Sequence, residues 1–119
     1  MATVLILIFL LQVKHLILDY IVVPPEDWKV YFHVGGSIHS GLNAIGTTLC
    51  FALVGTEISL LLIVLILDYI AHYNIDFLKQ TVHRLWGYTT NARYRFLIGM
   101  DQFLHQITYL TLMIMILKW

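Results

Sequence analysis

The chain has 119 residues, of which 60% are hydrophobic and 12% charged, and its mean hydropathy is +0.82. Seven Lys and Arg balance seven Asp and Glu, which excludes the basic excess of a nucleic-acid partner, and a single cysteine excludes an internal disulfide or a CxxC pair. A composition this apolar predicts an all-α, polytopic membrane protein: one domain over 1–119, a bundle of about four spanning helices of roughly 20 residues with short loops.

The first predicted span covers 3–23. It is apolar apart from Gln12, Lys14, His15, Asp19 and Tyr20 and stops at Pro24-Pro25, which cannot continue a helix. It lacks a cationic leader and no small-x-small site follows, so it is expected to stay in the protein. Residues 26–34 read as a polar loop in which Trp28, Tyr31 and Phe32 suit the water–lipid boundary, closed by Gly35 and Gly36. The second span, 37–54, is rich in small residues such as Ser40, Gly41, Ala44 and Gly46, which let helix backbones approach closely. Cys50 within it is expected to be a buried structural thiol.

A turn at Gly55, Thr56 and Glu57 reverses the chain into the third span, 58–79, making a hairpin with the second. The segment 80–95 is polar and basic, with His83, Arg84, Arg93 and Arg95, and offers Trp86, Tyr88 and Tyr94 as interface anchors. The fourth span, 94–117, is polar at its start and apolar towards its end. Lys14 and Lys29 are expected to snorkel or lie in loops, and His83 to be solvated. The third loop is the most basic, so the positive-inside rule puts the first and third loops in the cytoplasm and both termini on the opposite, periplasmic side.

The chemistry concentrates in DYIAHYNIDFLK, 68–79, where Asp68, His72 and Asp76 are spaced four apart and share one helix face. An ionisable residue in lipid is costly and marks a functional site by default. The up-and-down topology brings Asp19, His39, His72, Asp76, Asp101 and His105 to one leaflet, the cytoplasmic one. The opposite halves, among them VLILIFLL and LTLMIMIL, are almost purely apolar. His15 and Asp19, Asp68 and His72, His72 and Asp76, and Asp101 and His105 are all i,i+4 pairs that aim two side chains at one point.

Imidazole with carboxylate is a ligand set for a divalent metal, zinc first, with manganese and iron as alternatives, and helix bundles build such sites from facing helices. The predicted ligands are His15, Asp19, His39, His72, Asp76, Asp101 and His105. Their surplus over one tetrahedral site implies two ions, or carboxylates that orient the imidazoles; Gln102 and Asn43 are placed around them. Asp68 is the candidate base and Lys79 the candidate to stabilise anionic charge. A lone buried His more often serves packing, and an Asp beside Lys79 can be a salt bridge. A cluster reverses that balance, because each unpaired buried carboxylate costs several kcal/mol.

HLILDY, IHSGLNA, HYNIDFLK and DQFLH, in this order over most of the chain, resemble domain of unknown function family 3307, small polytopic membrane proteins of phages and bacteria. The resemblance implies His15, Asp19, His39, His72, Asp76, Lys79, Asp101, Gln102 and His105 as the family's polar set, with no activity attached, and a phage origin at a bacterial inner membrane. Two positions depart from the family: Gly35 stands where a second His is common, with His33 two residues earlier, and Val23 stands where Gln is common. His33 is therefore at most a rim residue.

Three functions compete. A metal-dependent hydrolase of a lipid or phosphate-type substrate would use a metal to activate water, although no His-Glu-x-x-His or Arg-rich phosphate clamp is present. A non-enzymatic phage accessory protein would use the cluster to lock its helices and would bind another copy or a host membrane protein. A metal or proton carrier would use the ladder as a relay, but the apolar outer halves offer it no second mouth.

Overall fold

The computed structural model describes residues 2–21, 34–86 and 92–117. These form four α-helices and no strand: α1 Ala2–His15, α2 Val34–Leu53, α3 Ile58–Leu85 and α4 Ala92–Leu117. Beyond His15, α1 widens into a π-helical segment, Leu16–Ile21, a feature that nothing in the local sequence announced. Such segments occur often at functional sites. Pro24-Pro25, His33 and the aromatics of the first loop lie outside the described residues.

The helix limits differ from the predicted spans for local reasons. α2 starts at Val34, so Gly35 and Gly36 belong to its first turn instead of closing a loop. α3 continues beyond Lys79 to Leu85, because QTVHRL contains neither Gly nor Pro and places His83 and Arg84 in the last turn, where the helix dipole favours cations. Among the described helices, α3 alone is long and apolar enough to cross a membrane on length and composition; Ala2–Leu18 is a shorter apolar helix.

The α2–α3 hairpin is closed by a Schellman turn. Gly55 takes φ +88°, a conformation that other residues reach only with strain, while the Gly55 N–H donates to Ala52 O at 3.0 Å and the Thr56 N–H to Phe51 O at 3.3 Å. The two helices then run antiparallel, with the His39 and His72 rings 5.2 Å apart. α1 approaches α2 closely at Gly46, where a Cβ atom would lie 2.8 Å from Leu18 Cδ1 and 2.9 Å from Lys14 Cγ.

The interior divides along the bundle axis. At the end holding the α2–α3 turn, Leu7, Leu11, Phe51, Val64, Leu112 and Ile116 form an apolar cluster, with Cys50 buried beside it as expected. At the other end the buried side chains are mainly polar, among them His15, His39, His72, Asp76, Asp101 and His105. The outside is the reverse, with Phe9, Leu53, Ile58, Phe96 and Ile114 all more than 60% exposed. Polar residues in and large apolar residues out is the opposite of the usual water-soluble arrangement.

Candidate metal centre

Asp76 is the hub of the polar end. Fully buried on α3, it faces three imidazoles from three helices. His72, one turn back on α3, brings Nε2 to 2.9 Å from Asp76 Oδ2, and His39 of α2 brings Nε2 to 3.2 Å from the same oxygen. His105 of α4 takes the other side, its Nε2 3.1 Å from Asp76 Oδ1 and 3.4 Å from Asp101 Oδ1. The i,i+4 spacing within α3 and within α4 makes these approaches possible without distorting either helix.

The donor atoms fall into two groups, His39 with His72 and Asp76, and Asp76 with Asp101 and His105, each with all its ligand atoms within 4.8 Å of one another. Asp76 belongs to both. Despite the nearby imidazoles, Asp76 Oδ2 and Asp101 Oδ1 are buried with no hydrogen bond directed at them among the described residues. Close nitrogen and oxygen atoms that do not point along one another fit an ion held between them, and a buried unsatisfied carboxylate oxygen calls for such an explanation. The donor set fits a divalent transition metal.

A hydrogen-bonded arm reaches this centre from α1. Lys14 Nζ donates to the Tyr109 hydroxyl at 2.7 Å, which lies 2.9 Å from His15 Nδ1. His15 Nε2 bonds Gln102 Oε1, and Gln102 Nε2 donates to Asp101 Oδ2 at 3.0 Å. The direction follows from the ends, since an ammonium only donates and a carboxylate only accepts. His15 therefore carries its proton on Nε2 and accepts from the tyrosine hydroxyl at Nδ1. Lys79, only partly buried, sits 3.5 Å from Asp101 Oδ2 with 18% of its side chain accessible.

The structure thus gathers His39, His72, Asp76, Asp101 and His105. It places His15 one step outside, joined through Gln102, although its ring centroid is 5.6 Å from that of His105. The Asp19 side chain lies outside the described residues. Asn43 is adjacent to a ligand, its Nδ2 donating to His39 O at 3.0 Å. Asp68 is buried one turn further into the bundle and belongs to neither ligand group.

Two side chains differ from the sequence expectation. Lys14 does not snorkel to water: it is 7% exposed, with Nζ turned to the Tyr109 hydroxyl and lying 4.7 Å from the centroid of that ring. His83 is half-buried, its ring 4.7 Å from that of Tyr94. Tyr109 was missed, yet its position continues the Asp101, His105 spacing by one more turn of α4. No family model, curated protein or solved structure matches the chain.

Proposed function

We propose that the chain is an integral membrane metalloprotein, a four-span bundle that hydrolyses a phosphate-type ester at the headgroup level of the cytoplasmic leaflet. The observation that carries this reading is the count of donors: each group supplies three protein ligands and shares Asp76. Three protein ligands with one position left for water is the arrangement of catalytic zinc, whereas structural zinc is closed by four. The apolar exterior and the length of α3 support placement in a bilayer, and the basic residues at the end of α3 and the start of α4, Lys79, Arg84, Arg93 and Arg95, support a cytoplasmic site. A bacterial inner membrane, and a place in the phage and bacterial family named above, rest on the four motifs.

A divalent metal bound here would act as a Lewis acid and lower the pKa of water towards neutrality. The chain's own residues do the rest. Asp76, with one oxygen towards each group, fixes the spacing between them. Asn43 and Gln102 hold His39 and Asp101 in place, as outer partners of metal ligands do. Lys79 stands at the rim, where an ammonium can receive the charge of a phosphate oxygen. Asp68, being outside both groups, has no part in this reaction.

A second reading, in which the metal locks α2, α3 and α4 together and the outer surface binds a partner, is favoured by burial: none of the five ligands is more than 4% exposed. Elemental analysis of detergent-purified protein, beside a His72→Ala, Asp76→Ala double variant, tests both. Metal that disappears in the variant, together with metal-dependent turnover of p-nitrophenyl phosphate or phosphatidate, supports the hydrolase. Metal without turnover, and unfolding on chelation, supports the lock. A folded wild type without metal overturns both.

A further inference from the structure

The two ligand groups of the centre are unequal. His39, His72 and Asp76 offer two imidazoles and one carboxylate, whereas Asp76, Asp101 and His105 offer one imidazole and two carboxylates. The five residues do not all belong to one group, so no single ion meets all of them. The spacing suits an ion in each. Imidazole nitrogen to carboxylate oxygen is 2.9 and 3.2 Å in the first group and 3.1 and 3.4 Å in the second. Two ligands bonded to one ion at about 2.1 Å stand about 3.0–3.4 Å apart, from octahedral to tetrahedral geometry.

Each group also has its own unanswered oxygen. Asp76 Oδ2 faces His39 and His72 in the first, and Asp101 Oδ1 faces His105 in the second. Both are buried with no hydrogen bond among the described residues. One ion would answer one of them, and two ions answer both. The other oxygen of Asp101 is already engaged, because Gln102 Nε2 donates to Oδ2 at 3.0 Å and Lys79 Nζ lies 3.5 Å from it. Oδ1 is the atom left for an ion.

The groups differ in what they demand. In the second, His105 Nε2 donates to Asp76 Oδ1 at 3.1 Å, so a proton already joins imidazole and carboxylate, and an ion must displace it. In the first, Asp76 Oδ2 receives no such bond, and an ion displaces nothing there. Charge acts in the same direction. The carboxylates of Asp76 and Asp101 balance one divalent ion. A second ion leaves surplus positive charge in a buried, low-dielectric site, and the Lys79 ammonium beside Asp101 adds to it. An anion arriving with the second ion removes the surplus.

We propose that the centre is binuclear and asymmetric. A zinc-class ion resides at His39, His72 and Asp76, and a harder, manganese-class ion enters at Asp76, Asp101 and His105 together with a phosphate-class oxyanion. Imidazole-rich donor sets suit zinc, and carboxylate-rich sets suit manganese. Lys79 stands on the side of the second ion, where its ammonium can meet the incoming anion. This inference deepens the hydrolase reading and rests on its metal centre: phosphate becomes part of the second site instead of a ligand to a finished one.

The test uses full-length protein in detergent, purified with zinc and dialysed free of excess, then titrated with manganese in chloride and in inorganic phosphate. Electron paramagnetic resonance reads bound manganese, and elemental analysis reads zinc. The expected result is one zinc per chain in both media and one manganese whose affinity rises with phosphate by about 5–150-fold, the usual range for coupling between two ligands. Phosphatidate in place of inorganic phosphate supplies the same anion from the lipid side, and the larger rise names its source. Asp101→Asn and His105→Gln should keep zinc and lose manganese, the second deciding if the first fails to fold. Zinc without manganese in every medium overturns the proposal, as does manganese that survives both substitutions or binds equally well in chloride. Turnover with zinc alone bound overturns this inference and leaves the hydrolase standing. Both ions bound as expected, without turnover of p-nitrophenyl phosphate or phosphatidate, overturns the hydrolase alone.

Discussion

The rings of His72 and His105 lie against each other, with centroids 4.2 Å apart and planes within 25° of parallel, while their Nε2 atoms approach opposite oxygens of Asp76. Two imidazolium rings in such contact would repel, as like charges at short range do. Neutral imidazole is also the form that binds a metal. The stacking therefore matches the needs of the centre, with Asp76 as the residue both halves depend on.

Asp76→Asn is expected to remove metal completely, because it takes a charged donor from both groups. Asp101→Asn removes a donor from one group only and should leave the ion held by His39, His72 and Asp76. Metal content of the folded, detergent-purified variants distinguishes the cases. Equal retention in both would show that Asp76 is not shared.

The arm from Lys14 to Asp101 is expected to tune affinity without setting stoichiometry. Gln102→Ala and Tyr109→Phe should weaken metal binding by roughly 10–100-fold, the usual effect of losing an outer partner, while the protein remains loadable at high metal. Competition with a chelator of known affinity measures this. His15→Ala should behave in the same way if His15 acts through Gln102, and should lower the metal count if it is itself a ligand.

Gly46→Val should destabilise the fold by about 1–3 kcal/mol through overpacking, since even a single Cβ there falls within 2.9 Å of Lys14 Cγ and 2.8 Å of Leu18 Cδ1. Thermal unfolding in detergent measures the loss. Leu18→Ala in the same chain should recover part of it, and a double variant no more stable than Gly46→Val would place the clash elsewhere.

Phe51→Ala, in the apolar cluster, should cost about 3–5 kcal/mol, the range for a large buried aromatic. Metal content per folded molecule should stay that of the wild type, because Phe51 lies at the opposite end of the bundle from Asp76. A parallel loss of metal in protein that remains folded would show that the two ends are not independent.

The ligand stripe was legible because helical spacing is strict: His72 with Asp76 and Asp101 with His105 had to share faces, and the hairpin at Gly55 had to bring His39 opposite them. The division into a polar and an apolar end was legible for the same reason. What spacing could not give was rotation about each helix axis relative to its neighbours. Asp68 satisfies the same four-residue rule as His72 and Asp76, yet it falls outside both ligand groups. His15 is removed from the ligand groups by Gln102 standing between it and Asp101. Lys14 was misjudged because a long cation on an apolar helix can either reach water or turn inward, and only the Tyr109 hydroxyl on another helix decides.

The apolar end formed by Leu7, Leu11, Phe51, Val64, Leu112 and Ile116 also has an electrical meaning in a bilayer. In the bilayer placement proposed above it would act as an insulator beneath the His/Asp centre, with most of the transmembrane voltage falling across side chains that carry no charge. On that proposal a cell making this protein would keep its proton gradient, and charge would enter or leave the His/Asp centre from one side, without drawing current through the membrane.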